Sequence, residues 1–448
     1  MNIYKEVIRH EVFPAMGCTE PSSVAYAAAV AAQDVQEPPE KITIAVDQAT
    51  YKNGLAVHIP NTAGEKGNLI AGVLGCLVAR PEKKMEVLKE VTPAHLVEAR
   101  RLIANRDVAL KIHPHCADFF VRVCLETKNH HSECILSGGH TNVVFRELDG
   151  KVLLDCRNKP ASSNEATYRE QLRTHTLADL VTLADEIDEE DMAYLRSGLE
   201  MNLAISREGM KIKKVGYYLL ELLEKGFLLE DVFSSTKIMT ACAVDARMDG
   251  MALPAMSSGG SGNQGIVATL VPYNVGKHFG ISEKTILKSI ALSHLLNSYV
   301  KVFIGELAPI CGCAIAAGVG AACGIVYQKN GKDIPALGLA VNNLVSDLGG
   351  MLCDGAKSGC ALKVVSSTDA AIRAAYLGMN HYGIQGMEGF VGLSAEDTIR
   401  NLGRITALGM ENMDGTIVDI MLEKGFKENG TQEFHRNTES CRTEEKGG

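Results

Sequence analysis

Apolar positions recur at helical spacing at Ile3, Val7, Ile8 and Val12, and the pattern stops before Phe13-Pro14. A second helix is expected to open near Thr19 to Pro21, where Thr19 can cap it and proline fits the first turn, and to run through SSVAYAAAVAAQ. From Lys41 the period changes to two. Ile42, Ile44 and Val46 alternate, as do Leu55, Val57 and Ile59, which predicts two strands with Asn53-Gly54 at the turn. A helix opened by PNTAGEKGN and running through Leu77 comes next, then another over 93–105. Strands follow over 108–113, 119–126, 133–137 and 143–147. This mixture predicts an α+β N-terminal domain with a mainly antiparallel sheet, residues 1–156.

The polar run RNKPASSNEAT, residues 157–167, marks the boundary. Beyond it, helical spacing over 169–187, 191–208, 215–224, 231–248, 283–300, 312–327, 334–348, 368–379 and 395–407 predicts a larger all-α C-terminal domain over 168–424. Residues 425–448 read as a polar, disordered tail.

Composition narrows the partners. The chain has 448 residues, enough for two or three cores, and carries a net charge of -9 with no long basic run, which argues against nucleic acid or an anionic membrane. MNIYKEVIRHEVF has neither the basic start nor the unbroken apolar core of a signal peptide, and the apolar stretch 314–327 is too short and glycine-rich to span a bilayer, so a cytoplasmic protein is expected. Thirteen cysteines without an export signal read as reduced thiols and metal ligands rather than a disulfide framework.

The cysteines change the picture most. APICGCAIAAGVGAACGIVYQ and GGMLCDGAKSGC bring Cys311, Cys313, Cys323, Cys353 and Cys360 into a glycine-rich, charge-poor neighbourhood. On one continuous helix Cys353 and Cys360 would stand about 10 Å apart. Asp354, Gly355, Ser358 and Gly359 favour a turn instead, so the pair flanks a loop that bends both thiols toward one point, with a third arriving from 311–323. Three thiolates would leave an iron open as a Lewis acid. Structural zinc, which wants a fourth nearby ligand, and scattered core cysteines are the competing readings.

Cys18 stands beside a helix N-terminus, where the dipole lowers a thiol pKa, or is a buried structural cysteine. SSGGSGNQG, 257–265, offers free backbone N–H groups to an anion but lacks the lysine of a P-loop, and as a flexible linker it would need no ligand. Asn61 and Thr62, and His140, Thr141 and Asn142, sit in loops where substrate-binding groups are commonly carried. His113 and His115 in IHPHC could ligate metal, though the alternation around them reads as a strand edge.

Taken together, GCTEP (17–21), PNTAGEKG (60–67), SGGHTN (137–142), SSGGSGNQG, APICGCAIAAGVGAACG and LGGMLCDGAKSGCALK resemble the L-cysteine desulfidase family, related to the iron-sulfur L-serine dehydratases, from about residue 17 to about residue 409. The resemblance implies a [4Fe-4S] cluster held by Cys313, Cys353 and Cys360, with Cys18 as the active-site cysteine. Cys311 and Cys323 then take core or supporting roles. It points Ser258 and Ser261 to the substrate carboxylate or the cluster surroundings, and raises Cys441 as an extra ligand. The implied reaction is β-elimination of L-cysteine to sulfide and 2-aminoacrylate, which hydrolyses to pyruvate and ammonia, with no pyridoxal phosphate. L-Serine is the alternative substrate; a non-catalytic amino-acid-binding or cluster-sensing protein is the other class. The expected partner is a small amino acid, and the expected assembly a homodimer.

Overall fold

The computed structural model describes residues 2–35, 37–105, 107–113, 119–157 and 164–429. The chain opens with α1 (Ile3–Glu11), β1 (Pro14–Met16) and α2 (Thr19–Ala32). Then come β2 (Lys41–Asp47), α3 (Gln48–Gly54), α4 (Asn68–Val78), a 3-10 segment (Pro81–Glu90) and α5 (Pro93–Ala104). β3 (Val108–His113), β4 (Phe120–Glu126), β5 (His131–Ser137), β6 (Val143–Leu148) and β7 (Lys151–Asp155) complete a six-stranded sheet in the order β3-β2-β4-β5-β6-β7.

Every neighbouring pair in that sheet is antiparallel except β2 and β3. The expected sheet is therefore mixed, because β2 reaches β3 through the helical crossover α3 to α5 and not through a hairpin. All residues of α2 are buried, between β4 and β5, α4 and the 3-10 segment. Its alanines let α4 approach so closely that a Cβ on Gly75 would lie 2.1 Å from the Ala25 carbonyl oxygen.

One local expectation fails here. No strand pair forms around Asn53-Gly54: Asp47 ends β2 and at once caps α3, accepting from Thr50 N at 2.8 Å and, through its other oxygen, from Phe120 N at 2.8 Å. Residues 55–59 are irregular, holding only a bridge between His58 and Lys66. A side-chain cap at the end of one strand outweighs an apparent alternation.

The remainder is helical apart from one short strand. α6 (Asn164–Thr174) and α7 (Leu177–Asp185) replace the single helix expected over 169–187, because Thr176 and Asp179 form a capping box that restarts the chain. α8 (Glu189–Gly209), α9 (Val215–Glu224) and α10 (Val232–Met248) match their expected spans to within a few residues. β8 (Pro254–Met256) and α11 (Gly262–His278) follow, then α12 (Glu283–Ile304), α13 (Ala316–Asn330), α14 (Ile334–Leu348), α15 (Cys360–Met379), α16 (Ala395–Arg404) and α17 (Met413–Asn429). Sequence periodicity missed α11 because its first eleven residues are buried on all faces, leaving no polar stripe to mark a period. α17 extends through Asn429, so the backbone over 425–429 is helical, while 430–448, with Cys441, lie outside the described residues.

Among the described residues there are two cores, and the first and last described helices cross between them. Ile3, Tyr4 and Val7 of α1 belong to the helical core, whereas Val418 and Leu422 of α17 pack into the core beneath the sheet. Among the described residues no helix is long and apolar enough to cross a membrane.

Candidate active site

A two-stranded sheet of only three residue pairs positions the site. β1 pairs antiparallel with β8, Pro14 opposite Met256 and Met16 opposite Pro254, so the loop that carries Cys18 leaves beside the loop of residues 257–261. Gly17, at φ 66°, makes the turn from β1 into α2, and a Cβ there would lie 2.9 Å from the Pro60 ring. Cys18 is then the N-cap of α2 with no capping bond of its own.

A second juxtaposition brings the other thiols. Cys311 N donates to Met351 O at 2.8 Å and Cys353 N to Pro309 O at 2.7 Å, tying the loop before α13 to the loop before α15. α3 supports the second loop from beneath: Ala356 N donates to Asn53 O at 3.3 Å, and a Cβ on Gly355 would lie 2.3 Å from the Lys52 carbonyl oxygen. Cys360 opens α15, eight residues earlier than the expected helix start at Thr368.

These loops shape one partly open chamber lined by Cys18, Cys311, Cys313, Cys353 and Cys360 together with polar and charged side chains. Its volume is about 80 Å³, on a measure where one water needs roughly 10–15 Å³. Such a space suits a molecule of amino-acid size better than a nucleotide.

Glu20 organises the Cys18 side. Its Oε2 accepts from Cys18 Sγ at 2.7 Å and from Thr19 Oγ1 at 3.1 Å, and its Oε1 from Asn53 Nδ2 at 3.0 Å. Burial alone would raise the Glu20 pKa, but the neighbouring His140 ring and the hydrogen bonds from Cys18 and Asn53 hold it below the usual carboxylate range. The Cys18 thiol is instead pushed well up, by burial first and by Glu20 second, with Arg247 pulling the other way. The expected depression of Cys18 by its helix terminus is thus overturned: a buried thiol facing a carboxylate outweighs the dipole.

The remaining chamber thiols perturb one another. Cys311 is lowered to about 7 by the hydrogen bond from Cys313, and Cys313 is raised by the same bond and by burial. Burial raises Cys353 and pushes Cys360 up to about 12, while Lys52 and Lys363 draw Cys353 down. Among the described residues no group of three or more His, Cys, Asp or Glu could hold a single metal ion. A cluster binds its thiolates on different irons and asks for them spread around a cavity. Thiols from two loops around one chamber, with lysine charge facing them, fit such a thiolate-held group. Cys323 does not take part; it is fully buried in α13 with Leu337 O 3.7 Å from its sulfur.

The other sequence candidates divide. His140 lines the chamber, packed on Phe119 at 4.8 Å between ring centroids, with its Nε2 enclosed and unpartnered and its pKa lowered by burial. Asn142 clamps the same loop through Ser137 O at 2.8 Å, and neither it nor Thr141 lines the chamber. Asn61, at φ 60°, donates to Leu88 O at 3.1 Å, and Thr62 donates to Ile59 O at 2.6 Å; both hold a turn away from the chamber. Ser261 lines the chamber, whereas Ser258 is turned behind it, meeting His294 Nδ1 at 2.8 Å and Asn297 Nδ2 at 3.0 Å. His113 ends β3, and His115 lies outside the described residues.

Sequence reasoning passed over Glu20, Asn53, Arg247, Asn263, Gln264, Lys301, Glu306 and Lys363, all chamber residues. Lys301 donates to Gly259 O at 2.6 Å and Glu306 at 2.9 Å, bracing the glycine loop against α12. A signal existed for several of them: Glu20 stands inside GCTEP, Asn263 and Gln264 inside SSGGSGNQG, Lys363 ends LGGMLCDGAKSGCALK, and Arg247 is a lone arginine in the small, largely apolar run TACAVDARM.

Comparison with known proteins agrees with the motif pattern. Residues 82–419 match the family described as serine dehydratase alpha chain. The chain is 54% identical to a UPF0597 protein of Elusimicrobium minutum over 424 residues, 95% of this chain and all of the relative. A UPF0597 protein of Geobacter sulfurreducens is also 54% identical, over 95% of this chain and 99% of its own, and one from Caldanaerobacter subterraneus is 37% identical over 94% and 98%.

Proposed function

The chain belongs to the serine dehydratase alpha-chain family, and from that membership and the chamber we propose that it is an iron-sulfur-dependent lyase that eliminates sulfide from L-cysteine. The convergence of Cys18 with Cys313, Cys353 and Cys360 on one small, partly open chamber carries this reading. Cys313, Cys353 and Cys360 would hold a [4Fe-4S] cluster, their protons lost on loading. When bound, the cluster supplies an iron without a protein ligand, a Lewis acid for a leaving sulfur.

Elimination must take the α-proton and let the β-substituent leave with its bonding electrons. In the proposed scheme Cys18 takes the α-proton on sulfur while its own proton passes along the 2.7 Å contact to Glu20. No free thiolate builds up, which matters because burial makes that species costly. The Cα–H electron pair becomes the Cα–Cβ double bond and the Cβ–S pair departs with sulfide. The resulting 2-aminoacrylate reacts with water to give pyruvate and ammonia. No step calls for pyridoxal phosphate.

The test is sulfide and pyruvate release from L-cysteine by protein purified and iron-reconstituted without oxygen. Cys353→Ala should lose both activity and cluster absorbance; Cys18→Ala should lose activity and keep the absorbance. A reconstituted cluster without sulfide release would sink the desulfidase reading. The family description favours L-serine as a second reading, and pyruvate formed from L-serine but not from L-cysteine would establish it.

A further inference from the structure

No motif of the sequence reading includes α10, yet its Arg247 lines the chamber. The residue is 2% exposed, and its Nη1 donates to Asn263 Oδ1 at 2.9 Å. Nε and Nη2 are enclosed without a hydrogen-bond partner. Those two N–H groups lie along one edge of the planar guanidinium and point the same way, the fork that a carboxylate meets with both oxygens. Burying the group with this edge unmet is costly, and a well-placed anion offsets that cost.

The chamber that Arg247 lines leaves room for one. A Cβ on Gly262 would stand 2.3 Å from Arg247 Nε and 3.0 Å from Nη2, so the bare glycine backbone packs against the guanidinium and any side chain there would displace the fork. Gly262 is also the first residue of α11, whose N-cap Ser261 makes no side-chain bond to the first turn. The free N–H groups of that turn and the positive end of the helix add to the same field.

We propose that Arg247 binds the α-carboxylate of the amino-acid substrate through Nε and Nη2, assisted by the N-terminus of α11. The assignment rests on the lyase reading only for its substrate class. It replaces Ser258, which faces away from the chamber, as the carboxylate contact. Arg247 thereby holds the α-carbon in the chamber that Cys18 and Glu20 line, and its charge opposes the upward push on the Cys18 thiol.

The probe is L-alanine, which keeps the carboxylate and ammonium but has no leaving group, compared with L-alaninol, which lacks the carboxylate. Calorimetric titration of the full-length protein, iron-loaded and iron-free, should show wild type binding L-alanine and not L-alaninol. Arg247→Met should weaken L-alanine binding roughly 100-fold. Gly262→Ala, which keeps the charge and displaces the fork, should also weaken it by at least about tenfold, and carries the test if Arg247→Met does not fold. L-Alanine binding to either folded variant within about threefold of wild type, equal binding of L-alaninol, or no L-alanine binding by wild type would overturn the assignment. Arg247-dependent L-alanine binding without sulfide release would remove the lyase reading and leave the carboxylate site standing. Unchanged KM for L-cysteine in Arg247→Met would do the reverse.

Discussion

Asp414 offers the most informative perturbation of the fold. It lies in the first turn of α17 and pairs with Lys52 of α3, Nζ to Oδ1 2.7 Å, across 362 residues of sequence. The Lys52 side chain is 0% exposed and that of Asp414 17%, so the pair is shielded from solvent. Asp414→Ala would leave a buried ammonium without its counter-charge, a loss of about 3–5 kcal/mol, toward the lower end because Asp414 keeps some water. Lys52→Met with Asp414→Leu removes both charges and should recover most of it. The assay is urea unfolding followed by circular dichroism, with hydrogen exchange along α17. Faster exchange confined to α17 and α3 is expected first, because that contact holds the last helix on the sheet core. Asp414→Ala within about 1 kcal/mol of wild type, or a double variant no more stable than the single one, would refute the reasoning. The pair also bears on the site, since Gly355 seats on the Lys52 backbone and Lys52 charge draws down the Cys353 thiol.

Two further outcomes follow from the buried groups. Glu20→Gln removes the negative charge that helps raise the Cys18 thiol, so in iron-free protein the pH midpoint for Cys18 alkylation should move down; an unchanged midpoint would detach Glu20 from Cys18. His294 is held neutral by burial, its pKa pushed down to about 3 from an ordinary 6.5. The unfolded chain therefore binds this proton at higher pH than the folded one, and the stability from neutral His294 is lost as pH falls from about 6.5 toward 3. Relative to His294→Gln, wild type should lose up to about 1.4 kcal/mol per pH unit in that window; parallel stability curves would contradict this.

The fold was legible wherever a local rule had no competitor. Strands β3 to β6 and helices α8, α9, α10 and α14 stand close to where alternation or helical spacing places them. α3 was misread because Asn53-Gly54 resembles a hairpin turn, while the deciding signal was Asp47 capping Thr50 and bonding Phe120 from a distant strand. β1 and β8 carry no readable pattern, being three residues each and paired across more than 200 residues of chain. The thiols fared better, since the loop signals between Cys353 and Cys360 are local and the two thiols do face one chamber. The sign of the Cys18 shift fared worse. A helix terminus is visible in sequence, but the enclosure of its thiol by α3, Glu20 and the glycine loop is not.

By itself, then, the sequence determined the two-part layout, the thiol-bearing loops and the family, because periodicity, capping and motif order are properties of neighbours along the chain. Only the tertiary structure decided which polar groups share the chamber. Arg247, Glu20 and Lys301 look like ordinary helical charges until α10, α2 and α12 converge. Their consequence comes from burial beside unmatched or opposite charge, an energy that no local pattern records.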